Sequence, residues 1–307
     1  MRIIQSDNPR PLDLLAVGPG GLVAASTFVF DAPGDVEVWD AGTGTRQCIH
    51  HIPDRETECI AFTSDGRFLF VGATAGITVI DLHSGGKTAV SRFAGSSPDF
   101  VLSADGTRLV VVNQNNNAVE CFAIGAGAHF SLVWSGQSDW REHYAPALNR
   151  DGTRAALVAD TVYGGPGGRP SQHIQFYDAQ GKFSGVIPLD PTDPKAGFVF
   201  TADGMKLLVP TGSRTVQMFD ATTGAAVGEL VHPGRPYVTG IAVHPCGIVA
   251  CARTNGTVTF WDAEKREQIR TFDWKAGKLV SVAFAPDGAL AAAGTEDGKV
   301  VVWDVDV

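Results

Sequence analysis

Residues 297–304, Asp-Gly-Lys-Val-Val-Val-Trp-Asp, decide how this chain is read, because residues 255–262, Asn-Gly-Thr-Val-Thr-Phe-Trp-Asp, carry the same pattern one period upstream. Each is a turn-forming pair, then a run of β-branched and aromatic residues, then Trp-Asp. Such runs favour a pleated strand, and Asn-Gly or Asp-Gly favours a tight turn ahead of it. Working outward, an aromatic or apolar residue followed by Asp recurs as Trp39-Asp40, Ile80-Asp81, Tyr177-Asp178 and Phe219-Asp220, with Phe122-Ala123 in the remaining slot. The second members, at 40, 81, 123, 178, 220, 262 and 304, are spaced 41, 42, 55, 42, 42 and 42 residues apart. A period of this length signals repeated units that bury a shared core.

A second signal keeps step with the first. A turn ending in Gly precedes each pair: Gly20-Gly21, Asp65-Gly66, Asp105-Gly106, Asp151-Gly152, Asp203-Gly204, Cys246-Gly247 and Asp287-Gly288. Asp-Gly between apolar runs predicts a type I′ hairpin, with positive φ at both central positions. An apolar run follows each turn, as in Arg-Leu-Val-Val-Val at 108–112. Next comes the run that ends in the repeated pair, then a more polar stretch such as Glu-Gln-Ile-Arg-Thr-Phe at 267–272. Each unit therefore predicts four antiparallel strands, a to d. The inner strands are apolar on both faces, which suits a sheet covered on each side by a neighbour. A ring of such sheets leaves only short edges.

On these residues the chain resembles the WD-repeat family over essentially its whole length. The resemblance implies an all-β fold, a seven-bladed β-propeller. It is read as a single domain over 1–307, with blade units ending near 40, 81, 123, 178, 220, 262 and 304. The last unit lacks a fourth strand, which Arg2-Ile3-Ile4-Gln5 is expected to supply, closing the ring. Blades of this family often carry a hydrogen-bonded His, Ser/Thr, Trp and Asp network. His51 and His232 stand where that His is expected, 15 residues before a turn glycine. The sixth unit has His232 and Trp261 but Arg253 and Asn255 in the Ser/Thr and Asp slots. The seventh has Thr295, Asp297 and Trp303 but no His. Residues 99–119 resemble the YVTN-type repeat of related propellers. A divergent member, held mainly by apolar packing between blades, is implied.

Composition bounds function. The chain has 307 residues, 44% of them hydrophobic, and a formal charge of −9 with scattered basic residues. Nucleic acid or an anionic membrane would call for a concentrated basic surface, so neither is expected as a partner. The cysteines, Cys48, Cys59, Cys121, Cys246 and Cys251, are odd in number and form no Cys-x-x-Cys pair. Small apolar fillers in a reducing compartment are expected. The first residues lack the apolar core of a signal peptide, and apolar runs are far shorter than the ~20 residues that span a bilayer. A soluble, cytoplasmic monomer is the expectation.

Catalytic motifs are thin. The histidines show no His-x-x-x-His or His-Glu-x-x-His spacing, so no metal site is expected. His50 and His51 are adjacent, which splays their side chains along a strand. Gly-x-Ser-x-Gly is absent. Gly86-Lys87-Thr88 has Asp81 where a phosphate-binding loop needs its first Gly, and it reads as a c–d turn. Neither a catalytic residue nor a cofactor is expected.

In the WD-repeat arrangement the d–a and b–c loops open on one face and the a–b and c–d turns on the other. Insertions beyond the repeat mark the face that binds. They fall at residues 135–144, 160–170 and 190–195, with a long b–c loop around 30–34. Trp, Tyr and Arg are frequent interface anchors. The expected contact patch is therefore Trp140, Arg141, His143, Tyr144, Tyr163 and Arg169, with Arg55, Tyr237 and Trp274 from other d–a loops. For Trp140 and Tyr144 the competing reading is a structural cap on the fourth blade. Trp39, Trp261 and Trp303 are repeat positions and are read as structural. The functional expectation is a protein-interaction scaffold that binds a protein or peptide. The alternative is a propeller-type hydrolase or lactonase with its site in the central funnel, which would need convergent titratable groups.

Overall fold

The computed structural model describes residues 1–7, 9–26, 33–55, 57–90, 93, 98–113, 118–137, 142–161, 171–189, 197–211 and 214–306. Their strands form seven antiparallel four-stranded sheets. Blade 1 contains Leu14–Val17, Leu22–Ser26, Pro33–Asp40 and Arg46–Arg55, and blade 2 Thr57–Phe62, Phe68–Ala73, Gly76–Asp81 and Lys87–Ala89. Blade 3 contains Asp99–Leu102, Arg108–Asn113, Ala118–Gly125 and His129–Gln137, and blade 4 Glu142–Leu148, Ala155–Thr161, Ser171–Tyr177 and Phe183–Pro188. Blade 5 contains Val199–Phe200, Lys206–Thr211, Thr215–Asp220 and Ala226–Val231, and blade 6 Val238–Val243, Ile248–Arg253, Thr257–Asp262 and Glu267–Asp273. Blade 7 takes Leu279–Phe284, Leu290–Thr295 and Lys299–Asp304 from the end of the chain and Arg2–Gln5 from its beginning. No helix of the described residues is long and apolar enough to cross a membrane.

The ring is closed as the sequence implied. Arg2 lies opposite Val302, Ile4 opposite Val300 and Gln5 opposite Lys299. The ladder is prolonged where the Ser6 N–H donates to the Gly298 carbonyl at 2.9 Å and the Leu12 N–H to the Thr295 carbonyl at 3.1 Å. The Ser281 hydroxyl donates to the Leu12 carbonyl at 2.6 Å. Ile4 and Leu12 are buried in the apolar cluster that joins blade 7 to blade 1.

Burial follows position in the blade. The second strand is nearly sealed: Leu69, Phe70 and Val71, or Val249, Ala250 and Cys251, are wholly excluded from solvent. In the outermost strand the pattern reverses, and Glu267–Asp273 is exposed at every position but Phe272. The buried side chains fall into seven clusters, each built from two adjacent blades, so every blade interface has its own core. Burying one such Val, Leu or Phe contributes about 1.5–3 kcal/mol, and along the inner strands both sheet faces collect it.

The a–b turns differ from the type I′ expectation. Thr63 accepts a bond at its carbonyl from the Gly66 N–H at 2.9 Å, and Gly66 has φ +69°. Asp65 is not among the residues with positive φ, so this is a type I turn followed by a left-handed glycine. Its cause is local. The Asp65 carboxylate accepts the Thr63 hydroxyl at 2.6 Å and the Arg67 N–H at 3.0 Å, which keeps Asp65 right-handed. The same bonds hold its carboxyl below the usual range. Ser103–Asp105 and Thr201–Asp203 repeat the device at 2.6 and 2.5 Å. Gly86-Lys87-Thr88 does lie in a c–d connection and the strand it enters.

Shortening Ile4 to Ala would open a cavity in the closing interface alone. A loss of about 2–4 kcal/mol is expected in denaturant unfolding, and an unchanged midpoint would mean that Arg2–Gln5 does not close the ring.

Candidate functional site

Blade 6 supplies one sector of the loop face. The loop from Ala226–Val231 into Val238–Val243 contains His232, Pro233, Arg235, Pro236 and Tyr237. The Tyr237 N–H donates to Thr254 Oγ1 at 3.1 Å, and the Thr254 N–H donates back to the Tyr237 carbonyl at 3.0 Å. This exchange fixes the backbone of Tyr237 against the b–c turn, while the residue stays 58% exposed. Arg235 and Arg214 are also exposed, and neither pairs with a carboxylate among the described residues. Toward blade 7 the lysines are paired: Lys275 with Asp273, Lys278 with Glu296 at 3.0 Å and Lys299 with Asp297.

The other residues expected at the patch are placed unevenly. Trp140, Arg141, Tyr163 and Arg169 lie outside the described residues. His143 and Tyr144 do not sit in a loop, as the sequence reading had it. They belong to the strand Glu142–Leu148, opposite Ala159 and Val158. Arg55 ends the strand Arg46–Arg55, opposite Pro33. The side chains of these three are outside the described residues. The cause is ladder extension: His129–Gln137 and Glu142–Leu148 continue pairing beyond the repeat, so the insertion at 135–144 lengthens strands and leaves only 138–141 between them. Trp274 is half-buried, stacked on Phe272 at 5.5 Å and tilted against Trp303 at 4.6 Å. It covers Trp303 much as His232 covers Trp261.

Beneath the blade 6 loop lies a polar cluster. His232 is fully buried, its ring edge-on to Trp261 with centroids 5.0 Å apart. Arg253 is buried too, and its Nη2 donates to the carbonyls of Pro233 at 2.7 Å and Pro236 at 3.3 Å. Burial, and then the nearby Arg253 charge, lower the His232 pKa to about 4. The family network is thus half present, since His232 meets Trp261, while His51 does not join one. His51 is exposed and bonded to Asp35 at 2.9 Å, and its neighbour His50 points inward.

On the turn face the central channel opens into a cavity of about 350 Å³, lined by residues such as Pro146, Phe198, Phe200, Val243 and Phe284. Arg150 reaches over it to the Pro245 carbonyl at 3.4 Å. His244 stands at its edge, with Nε2 donating to the Gly288 carbonyl at 3.0 Å and Nδ1 accepting the Cys246 N–H at 3.1 Å. Cys246 Sγ is also 2.8 Å from Nδ1. Sequence reasoning missed this pair, although Cys246 in the turn's Asp slot was its signal. All five cysteines are free. Cys121 and Cys251 are buried fillers, while Cys246 is exposed. Among the described residues no group of three or more His, Cys, Asp or Glu could hold a metal.

Residues 266–304 match the family model described as WD domain, G-beta repeat. Pre-mRNA-processing factor 19 homolog 2 of Arabidopsis thaliana is 26% identical over 89 residues, 28% of this chain and 17% of that protein. Ribosome biogenesis protein ENP2 of Chaetomium thermophilum is 24% identical over 82 residues, 27% of this chain and 12% of that protein. The match therefore spans less than a fifth of either relative. Among solved structures, the Kuenenia stuttgartiensis Hydrazine Synthase superposes with a TM-score of 0.73 over 99% of this chain and 98% of that one, at 19% identity. At that identity the likeness is one of fold. Residues 266–304 thus carry a WD repeat, and the described residues form a seven-bladed β-propeller.

The buried imidazole makes a pH prediction. His232 titrates near 6.5 when unfolded and near 4 when folded. Below pH 6.5 the unfolded chain takes up a proton that the folded one refuses, so stability falls as pH drops from about 6.5 to about 4. The loss is on the order of 3 kcal/mol. Urea unfolding at low ionic strength should give a shallower pH slope in this window for His232→Phe than for the parent. Equal slopes would contradict the assignment.

Proposed function

We propose that this chain is a non-catalytic protein-interaction scaffold that takes a protein or peptide partner on the face carrying the d–a and b–c loops. The observation that carries the reading is Tyr237, a large exposed aromatic on a backbone pinned at both its N–H and its carbonyl. An aromatic anchor held in place before binding loses little conformational freedom on contact, which is how a few residues come to dominate an interface. Arg235, two residues earlier in the same loop, and Arg214, whose carbonyl accepts the His232 N–H at 2.8 Å, are exposed as further donors. Trp140, Arg141, His143, Tyr144, Tyr163, Arg169, Arg55 and Trp274 are proposed to extend the patch, Trp274 offering only what its stacking leaves free.

The channel gives the hydrolase reading less support. Among the described residues no carboxylate lines the cavity on the turn face, and both nitrogens of His244 are engaged. A general acid or base must have a free nitrogen or oxygen within reach of substrate. A net charge of −9 disfavours nucleic acid as the partner. A cytoplasmic monomer remains part of the proposal.

The test is capture from the native cell by the tagged protein, read by quantitative mass spectrometry. A partner held by the parent should be depleted at least tenfold by Tyr237→Ala combined with Arg235→Ala, and likewise by Trp140→Ala, Arg141→Ala and Tyr144→Ala together. Lys265→Ala, on the turn face, should retain it. Undiminished capture by both loop-face variants would overturn the proposal.

A further inference from the structure

We propose that blade 6 binds a small inorganic anion of halide size, buried between His232, Arg253 and Trp261 beneath the loop that presents Tyr237. The starting point is a set of orphaned polar atoms. His232 Nδ1 and Nε2, Arg253 Nε and Trp261 Nε1 are all shut off from solvent and have no hydrogen-bond partner. They lie together. The imidazole is edge-on to the indole at 5.0 Å, and Arg253 is near enough for its charge to act on the imidazole. Buried polar groups are nearly always bonded, so four at one place call for a guest.

The chemistry of the donors says what kind. An indole N–H and a guanidinium N–H can only donate. His232 is kept neutral by burial, so it supplies one further N–H and one lone pair. Three donors against a single acceptor select a guest rich in lone pairs. Water could meet the hydrogen-bond demand, but charge decides against it. Arg253 is only 4% exposed. Its Nη2 donates to two carbonyls, which are dipoles, and no carboxylate among the described residues pairs with it. A buried cation with no counter-charge is strongly unfavourable, and an anion supplies what is missing.

Blade 7 gives the internal comparison. Thr295 and Asp297 occupy there the slots held in blade 6 by Arg253 and Asn255. The Thr295 hydroxyl donates to the Asp297 carboxylate at 2.6 Å. In blade 6 the hydroxyl has become a guanidinium and the carboxylate an amide, whose oxygen is taken by the Thr257 hydroxyl at 2.8 Å. The charge built into this turn has changed from negative to positive, while the Trp and, in blade 6 alone of the two, the His remain. The near-complete burial of all three residues excludes organic anions and phosphate and leaves chloride or bromide. Because Arg253 also holds the Pro233 and Pro236 carbonyls, a bound ion orders the loop that ends in Tyr237.

Bromide is the probe. Crystals of the full chain soaked in sodium bromide and measured at the bromine edge should show an anomalous peak within about 3.5 Å of Arg253 Nε and Trp261 Nε1. In solution, melting temperature at constant ionic strength should rise by a few degrees when sodium gluconate is replaced by sodium bromide or chloride. Arg253→Ser with Asn255→Asp, which rebuilds the hydroxyl and carboxylate, should lose both the peak and the halide-specific rise. Should that variant fail to fold, Trp261→Phe removes one donor and should weaken the halide response about tenfold. A site holding only water, or the same halide response in the parent and in whichever variant folds, would overturn the proposal.

Discussion

Everything in this molecule depends on sheets that are apolar on both faces. A four-stranded sheet such as blade 6 buries Ala250, Ala252, Val258 and Phe260 on one side and Val249, Cys251 and Trp261 on the other. Neither side can face water, so each blade needs two neighbours, and only a closed circle gives every blade both. The seven two-blade clusters are the outcome. Arg2–Gln5 joins the two ends of the chain in one sheet, so the seventh interface is of the same kind as the other six.

With both sheet faces consumed, only the rim strands, the loops and the channel mouths are left to meet other molecules. Polar chemistry is confined accordingly. On the turn face it is mostly self-contained, since Asp65 and Asp105 are each satisfied by a hydroxyl and a backbone N–H of their own turn. On the loop face of blade 6 it is not. A buried guanidinium, a neutral imidazole and an indole sit under a loop whose outer surface carries an exposed tyrosine and an exposed arginine. The same blade carries the exposed thiol, Cys246, against His244. Blade 6 keeps the repeat's backbone, but Arg253, Asn255 and Cys246 replace the hydroxyl and carboxylate side chains that blade 7 has at the matching places.

The architecture was legible because a period of 42 residues and a glycine in each a–b turn are properties of the chain itself. Ring closure was legible for the same reason, from a missing strand at one end and Arg2-Ile3-Ile4-Gln5 at the other. What failed was whatever depended on where neighbouring atoms lie. The Asp-Gly pairs suggested type I′ turns, but Thr63 and its equivalents tie the Asp carboxylate down and leave only the glycine left-handed. His51 has the right spacing for the family network, yet it points to solvent and pairs with Asp35. That Trp274, expected at the contact patch, is half-buried and stacks on Phe272 and Trp303 could not be read from spacing. His143, Tyr144 and Arg55 lie on strands because pairing runs past the repeat boundary. Arg253 was visible as an odd residue in a Ser/Thr slot, but that no carboxylate among the described residues pairs with it is a property of the fold alone.

Hydrogen–deuterium exchange on the intact chain tests the closed circle most directly. If the first strand completes blade 7, the amides of residues 2–5 whose N–H groups enter the ladder with Lys299–Asp304 exchange at least a thousandfold more slowly than an unstructured peptide of the same sequence. They should also open together with the inner strands of that blade. Exchange of residues 2–5 at the free-peptide rate, with Leu290–Thr295 still protected, would contradict the account.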